Sequence, residues 1–172
     1  MKEKITIAID AMGGENSPEK NIQGLSFFLN KNKNPKNCFF NLYGNEELIL
    51  KKINKYKVPK SNIKIFNTLS VVSDEETPLT AIKNSKNSSM WNSINSQITD
   101  GADISLSAGN TGVLFVISRM LLKTIEGVSK PALAGLWPNK KGVSVVLDLG
   151  ANIECSEKNL IDFSEMGSAL FK

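Results

Sequence analysis

Apolar residues in this chain come in short β-branched or aromatic runs that alternate with longer stretches at helical spacing. Ile5-Thr6-Ile7-Ala8-Ile9 ends at Asp10 and passes directly into Ala11-Met12-Gly13-Gly14. Ser17 as N-cap and Pro18 at the first helical position then predict a helix that turns Ile22, Leu25, Phe28 and Leu29 toward the core. A second strand, Cys38 to Tyr43, closes at Gly44. Asn45 caps the helix that follows, with Glu46 and Glu47 in its first turn and Lys51, Lys52 and Lys55 near its end, the order the helix dipole favours. A third strand is expected at Ile63 to Phe66. Farther on, Ser88 is placed to cap a helix whose Met90, Trp91, Ile94 and Ile98 share a face, with Gly101 as its stop. Alternation of this kind predicts an α/β fold, a three-layer α/β/α sandwich around a mostly parallel sheet.

The same pattern sharpens after residue 103. Ile104 to Leu106 reads as a short, buried, central strand, and Val113 to Leu122 as an apolar run long enough for about three helical turns. Between them lies Ser107-Ala108-Gly109-Asn110-Thr111-Gly112. Glycines let a backbone come close to a ligand, and the first amides of the following helix point outward with the positive end of its dipole behind them. That is an anion site in outline. The same Asn and Thr also suit plain helix capping, and at this point both roles stand. Downstream, Pro131 to Trp137 and Val143 to Leu147 flank Asn139-Lys140-Lys141-Gly142, which predicts a hairpin, an antiparallel pair in an otherwise parallel sheet. The last strand ends in Asp148-Leu149-Gly150-Ala151-Asn152. Parallel strands would line these three glycine-containing loops along one sheet edge, where open α/β sheets bind ligands. An amphipathic helix from Glu157, with Leu160, Ile161, Phe163 and Leu170, runs up to Lys172, so the polypeptide is expected to end before its fold does.

Composition narrows the chemistry. The 172 residues are 41% hydrophobic and 22% charged, the balance of a soluble globular domain or part of one. The longest apolar run contains Ser118 and Arg119 and falls short of the ~20 residues a bilayer requires. The apolar stretch before Asp10 is too short for a signal peptide, and a cytoplasmic protein with Cys38 and Cys155 as thiols is expected. The net charge of +4 is spread over lysines in Asn-rich loops, with Arg119 the single arginine, which argues against nucleic-acid binding. Asp74, Glu75 and Glu76 read as a solvated loop rather than a metal site, because no second carboxylate pair completes the set. The chain has no histidine, which removes Ser-His-Asp and Cys-His nucleophiles, the common zinc sites and any imidazole base.

Ile9 to Gly14, Lys86-Asn87-Ser88-Ser89-Met90, Ser107 to Gly112, Lys130-Pro131-Ala132-Leu133-Ala134 and Leu147 to Asn152 together closely resemble the bacterial phosphate acyltransferase family, in the family's order and over residues 5 to 169. The resemblance implies a three-layer fold like that of phosphotransacetylases and isopropylmalate dehydrogenases. It also implies a homodimer, cytoplasmic or loosely attached to the membrane, that makes acyl phosphate from acyl-[acyl-carrier protein] and inorganic phosphate without a cofactor. Departures are Glu15 and Asn16 in place of the usual Asp-His, Asn87 where Asp is common and Lys130 where Arg is common. The family is also roughly twice as long, so residues 1–172 read as the N-terminal portion of one domain, with membrane contact falling to the other half. Two alternatives are a non-catalytic half that needs a C-terminal partner chain and a phosphotransacetylase-like enzyme that uses acyl-CoA.

On this reading Asn110 and Asn152 are the catalytic side-chain donors. Gly13, Gly14, Ser88, Ser89, Ser107, Gly109, Thr111 and Gly112 contact substrate, and Lys86 balances phosphate charge. Asp10 and Asp148 border the substrate but orient loops, since a carboxylate facing phosphate would repel it. No metal is expected.

Overall fold

The computed structural model describes residues 4–32, 35–73, 75–77, 80 and 83–171. Asp74, Pro78 and Ala81 of the acidic segment lie outside the described residues. The chain divides into two compact units, 1–122 and 123–172.

In the first unit the order is β1 (Ile5–Asp10), α1 (Glu19–Lys31), β2 (Cys38–Gly44), α2 (Glu46–Lys55), β3 (Ile63–Asn67), α3 (Ser89–Thr99), β4 (Ile104–Leu106) and α4 (Thr111–Leu121). The strands form one parallel sheet in the order β3-β2-β1-β4, with Ile7 opposite Ile104 and Ile9 opposite Leu106. Strand residues alternate between faces. Ile7, Ile9, Phe40 and Leu42 therefore pack with Ile22, Leu25 and Leu29 of α1 and Ile49 and Ile53 of α2. Ala8 and Tyr43 face the other way, beneath α3. The two faces and their helices make three layers, and burying each Ile or Leu of that core contributes roughly 1.5–3 kcal/mol.

Local signals act where they were expected at Asn45 and Ser88, whose side chains accept from Leu48 N and Trp91 N, and at Gly101, with φ 68° just past α3. Four expectations are corrected. Ser17 does not cap α1; its hydroxyl turns back to the carbonyls of Gly13 and Gly14. Phe28 is partly exposed, because the groove beside it is open. Ile98 is exposed, and the buried face of α3 is instead Ser89, Met90, Ser93, Ile94 and Ser96, small enough to lie close to the sheet. Finally, β4 is neither buried nor central. It stands at the edge of the sheet, with Ile104 46% and Leu106 48% exposed, on the same face as Ile7 and Ile9. Beside α1 this face opens as a groove of about 380 Å³ between Ile7, Ile9, Leu25, Phe28 and Leu106.

The second unit holds β5 (Gly135–Asn139), β6 (Gly142–Val146) and α5 (Glu157–Phe171). The hairpin forms at the expected turn, with Asn139 opposite Gly142, but as a separate two-stranded sheet rather than as part of the parallel one. On α5, Phe163 is buried while Leu160, Ile161 and Leu170 are exposed. Among the described residues no helix is long and apolar enough to cross a membrane.

Candidate active site

The loops after β1 and β4 meet at the carboxyl edge of the sheet because parallel neighbours end side by side. Their join is Asp10, 1% exposed. Its Oδ2 accepts from Ser107 Oγ at 2.7 Å and its Oδ1 from Met12 N at 3.2 Å, while Gly109 N donates back to Ser107 Oγ at 3.1 Å. Ser89, fully buried at the start of α3, brings its hydroxyl toward the same carboxyl without a fully formed hydrogen bond. Burial pushes the Asp10 carboxyl up, and the nearby Ser89 hydroxyl together with the hydrogen bonds of Ser107, Met12 and Gly13 offsets only part of that rise.

Glycine is required at this join for want of space. A Cβ on Gly13 would stand 2.4 Å from Asp10 Oδ2, 2.8 Å from Ser107 Oγ and 3.0 Å from Gly109 N. On Gly14, at φ 85°, it would meet Ala108 O at 2.6 Å, and on Gly109 it would meet Met90 Cε at 2.9 Å. The two loops thus pack with no room for a side chain at Gly13 and Gly14, and the end of the Met90 side chain, from the first turn of α3, closes on Gly109. Asn110 caps α4, with Oδ1 accepting from Val113 N at 3.1 Å and Nδ2 donating to Glu76 O at 3.0 Å. Thr111 and Gly112, the first residues of α4, are exposed with their amides ahead of the first intrahelical bond, Leu114 N to Asn110 O. Lys86 is exposed, Ser88 is buried as the cap of α3, and among the described residues no group of His, Cys, Asp or Glu is arranged to hold a metal.

The third expected loop belongs to the second unit. There Asp148 Oδ1 accepts from Leu133 N at 2.8 Å, and Oδ2 accepts from Asn152 N at 2.7 Å and Asn152 Nδ2 at 2.9 Å. Asn152 Nδ2 also donates to Pro131 O at 2.8 Å, so both of its amide hydrogens are engaged within the second unit. Burial pushes the Asp148 carboxyl up, but the hydrogen bonds from Leu133, Asn152 and Ala151 together outweigh it and hold the group below its ordinary value.

Residues 5–172 match the family model described as fatty acid synthesis protein. The chain belongs to that family. It is similar to curated proteins named phosphate acyltransferase: 52% identical over 172 residues to that of Pelagibacter ubique, covering all of this chain and 50% of the relative. It is 42% identical over 168 residues to that of Ehrlichia ruminantium and 40% over 172 to that of Ehrlichia canis, covering 98% of this chain in each case and 49% and 50% of the relatives. The chain thus spans about half the length of the curated relatives it matches.

Ser17 and Asn21 are site-proximal residues that sequence reasoning missed. Asn21, on α1, donates to the carbonyls of Ala11 and Gly13. A lone Asn in a first helical turn carries no signal of that reach.

Proposed function

We propose that this chain provides the phosphate- and oxyanion-binding part of an enzyme that forms acyl phosphate from acyl-[acyl-carrier protein] and inorganic phosphate, for phospholipid synthesis. The carrying observation is the glycine loop of β1 locked against the Ser107–Gly112 loop at the mouth of α4, with no room for a side chain between them.

Phosphate is already anionic at neutral pH, so it attacks a thioester carbonyl without a base to deprotonate it, and a site lacking histidine suffices. One phosphate oxygen bonds to the carbonyl carbon, the carbonyl oxygen becomes an oxyanion, and the carbon–sulfur bond then breaks to release the carrier thiolate. The tasks left to the protein are positioning and donation to the oxyanion. Backbone amides of Gly14, Thr111 and Gly112 serve both, with Gly13 and Gly109 permitting close approach and Ser88 and Ser89 shaping the floor. Asp10 turns its carboxyl inward to Ser107, which keeps its charge out of the anion's way. Asn110 aims the mouth of α4, and Asn152 and Asp148 order the second unit's loop for substrate. Lys86 balances charge at the rim. The assembly is a homodimer with peripheral membrane contact through the other half of the family-length protein, and it uses neither metal nor cofactor.

The test is acyl phosphate formation by the purified chain, alone and co-expressed with the C-terminal half of the Pelagibacter relative, with acyl-carrier protein or coenzyme A as the thioester. Product only on co-expression identifies residues 1–172 as a half that needs its complement, and product only from coenzyme A thioesters makes the protein phosphotransacetylase-like. Product in no arm overturns the reading.

A further inference from the structure

The carbonyl side of the glycine loop is held by two side chains to which the reading above gives no role. Asn21 Nδ2 donates to Ala11 O at 2.9 Å and to Gly13 O at 3.0 Å. Ser17 Oγ lies 2.6 Å from Gly13 O and 2.6 Å from Gly14 O, and 3.4 Å from Asn21 Nδ2. In a planar trans peptide the C=O and the following N–H point in opposite directions. Fixing the carbonyls of Ala11, Gly13 and Gly14 therefore fixes the amides of Met12, Gly14 and Glu15. The first of these is the amide that bonds Asp10 at 3.2 Å. The other two face away from Asn21 and Ser17. Adjacent glycines have the widest backbone freedom of any residue pair, so their amides keep one direction only if something outside them imposes it.

We propose that Ser17 and Asn21 form a clasp of positioning residues that sets the Gly14 and Glu15 amides for phosphate. The clasp rests on the phosphate reading and adds to it a determinant of phosphate affinity on the opposite side of the loop from the ligand. It acts through the loop, and neither side chain touches the reacting atoms.

Inorganic phosphate is titrated into the ¹⁵N-labelled chain and into Asn21→Leu, Ser17→Ala and Ser17→Thr, with thermal unfolding recorded for each. In the wild-type chain the Gly14 and Glu15 amide signals shift on phosphate addition. Asn21→Leu and Ser17→Ala weaken phosphate binding about tenfold, the scale of one hydrogen bond to a charged group. Ser17→Thr, which keeps the hydroxyl, binds nearly as the wild type does. A purely structural role would move unfolding temperature and leave phosphate affinity alone. Wild-type affinity in both Asn21→Leu and Ser17→Ala overturns the clasp and leaves the function standing. Should those variants fail to fold, the wild-type titration still decides, because unmoved Gly14 and Glu15 signals alongside phosphate binding elsewhere also overturn it. No phosphate binding by the wild-type chain overturns the functional reading and the clasp with it.

Discussion

Asp10-Ala11-Met12-Gly13-Gly14 and Asp148-Leu149-Gly150-Ala151-Asn152 each follow a strand with an aspartate, and each holds a glycine in the left-handed region, Gly14 at φ 85° and Gly150 at φ 78°. Around the first, a carboxylate at 1% exposure ties one loop to another, through Ser107. Around the second, a half-buried carboxylate closes its oxygens on Leu133 and Asn152 within a single compact unit. Like sequences therefore build unlike devices: one is a joint between segments 97 residues apart in the chain, the other ties its loop to Leu133 and Pro131, 15 and 21 residues back. The difference lies in what surrounds each loop, which local sequence does not record.

The largest expected effect separates the two glycines. Replacing either by alanine puts a Cβ on left-handed backbone, which costs about 1–2 kcal/mol. Gly150→Ala should stop there, since nothing lies within 4 Å of its added carbon. Gly14→Ala must also push that carbon off Ala108 O at 2.6 Å, and overpacking of this kind adds about 1–3 kcal/mol. Denaturant unfolding of the two variants checks it, and equal losses would break the comparison.

A smaller effect separates the aspartates. Asp148→Asn turns an NH₂ toward backbone or side-chain N–H groups whichever way it rotates, leaving a donor facing donors at a cost of about 1–3 kcal/mol. At Asp10 the Ser107 hydroxyl can reverse and accept from the new amide, and a buried charge is removed, so Asp10→Asn should cost less. Denaturation midpoints that rank the two the other way would refute this.

The smallest effect is read by carboxyl NMR titration without any substitution. Asp10 should titrate above the ordinary value of 3.8 and Asp148 below it. A raised carboxyl favours the folded state at low pH and loses that contribution as pH rises from 3.8 through its folded value. A lowered one contributes stability above 3.8 and loses it as pH falls through its folded value. Shifts of the same sign would erase the distinction.

Much of the first unit was legible because its determinants are local. β-branched or aromatic runs set β1 to β3, and Asn45, Ser88 and Gly101 act on amides and turns within a few residues of themselves. The hairpin was legible from its turn, but its separation from the parallel sheet was not. What escaped depends on distant partners. Ser17 looked like a cap and answers two glycine carbonyls instead. Ile104 and Leu106 looked like a buried centre because periodicity records apolarity and not strand order, and the edge position of β4 leaves them about half exposed. At the site the polar and glycine residues were found, but not how they spend their hydrogen bonds. Asn152 was expected to offer its side-chain amide, and the structure engages both hydrogens on Asp148 and the Pro131 carbonyl.

The absence of room for a Cβ at Gly13, Gly14 and Gly109 also restricts how this protein can change over generations. At Gly13 and Gly14 any single-nucleotide path to another amino acid begins by forcing the neighbouring loops apart, while a step away Glu15 faces solvent and can drift. Inheritance is therefore rigid on one side of the loop and permissive on the other, and the boundary between them falls between residues 14 and 15.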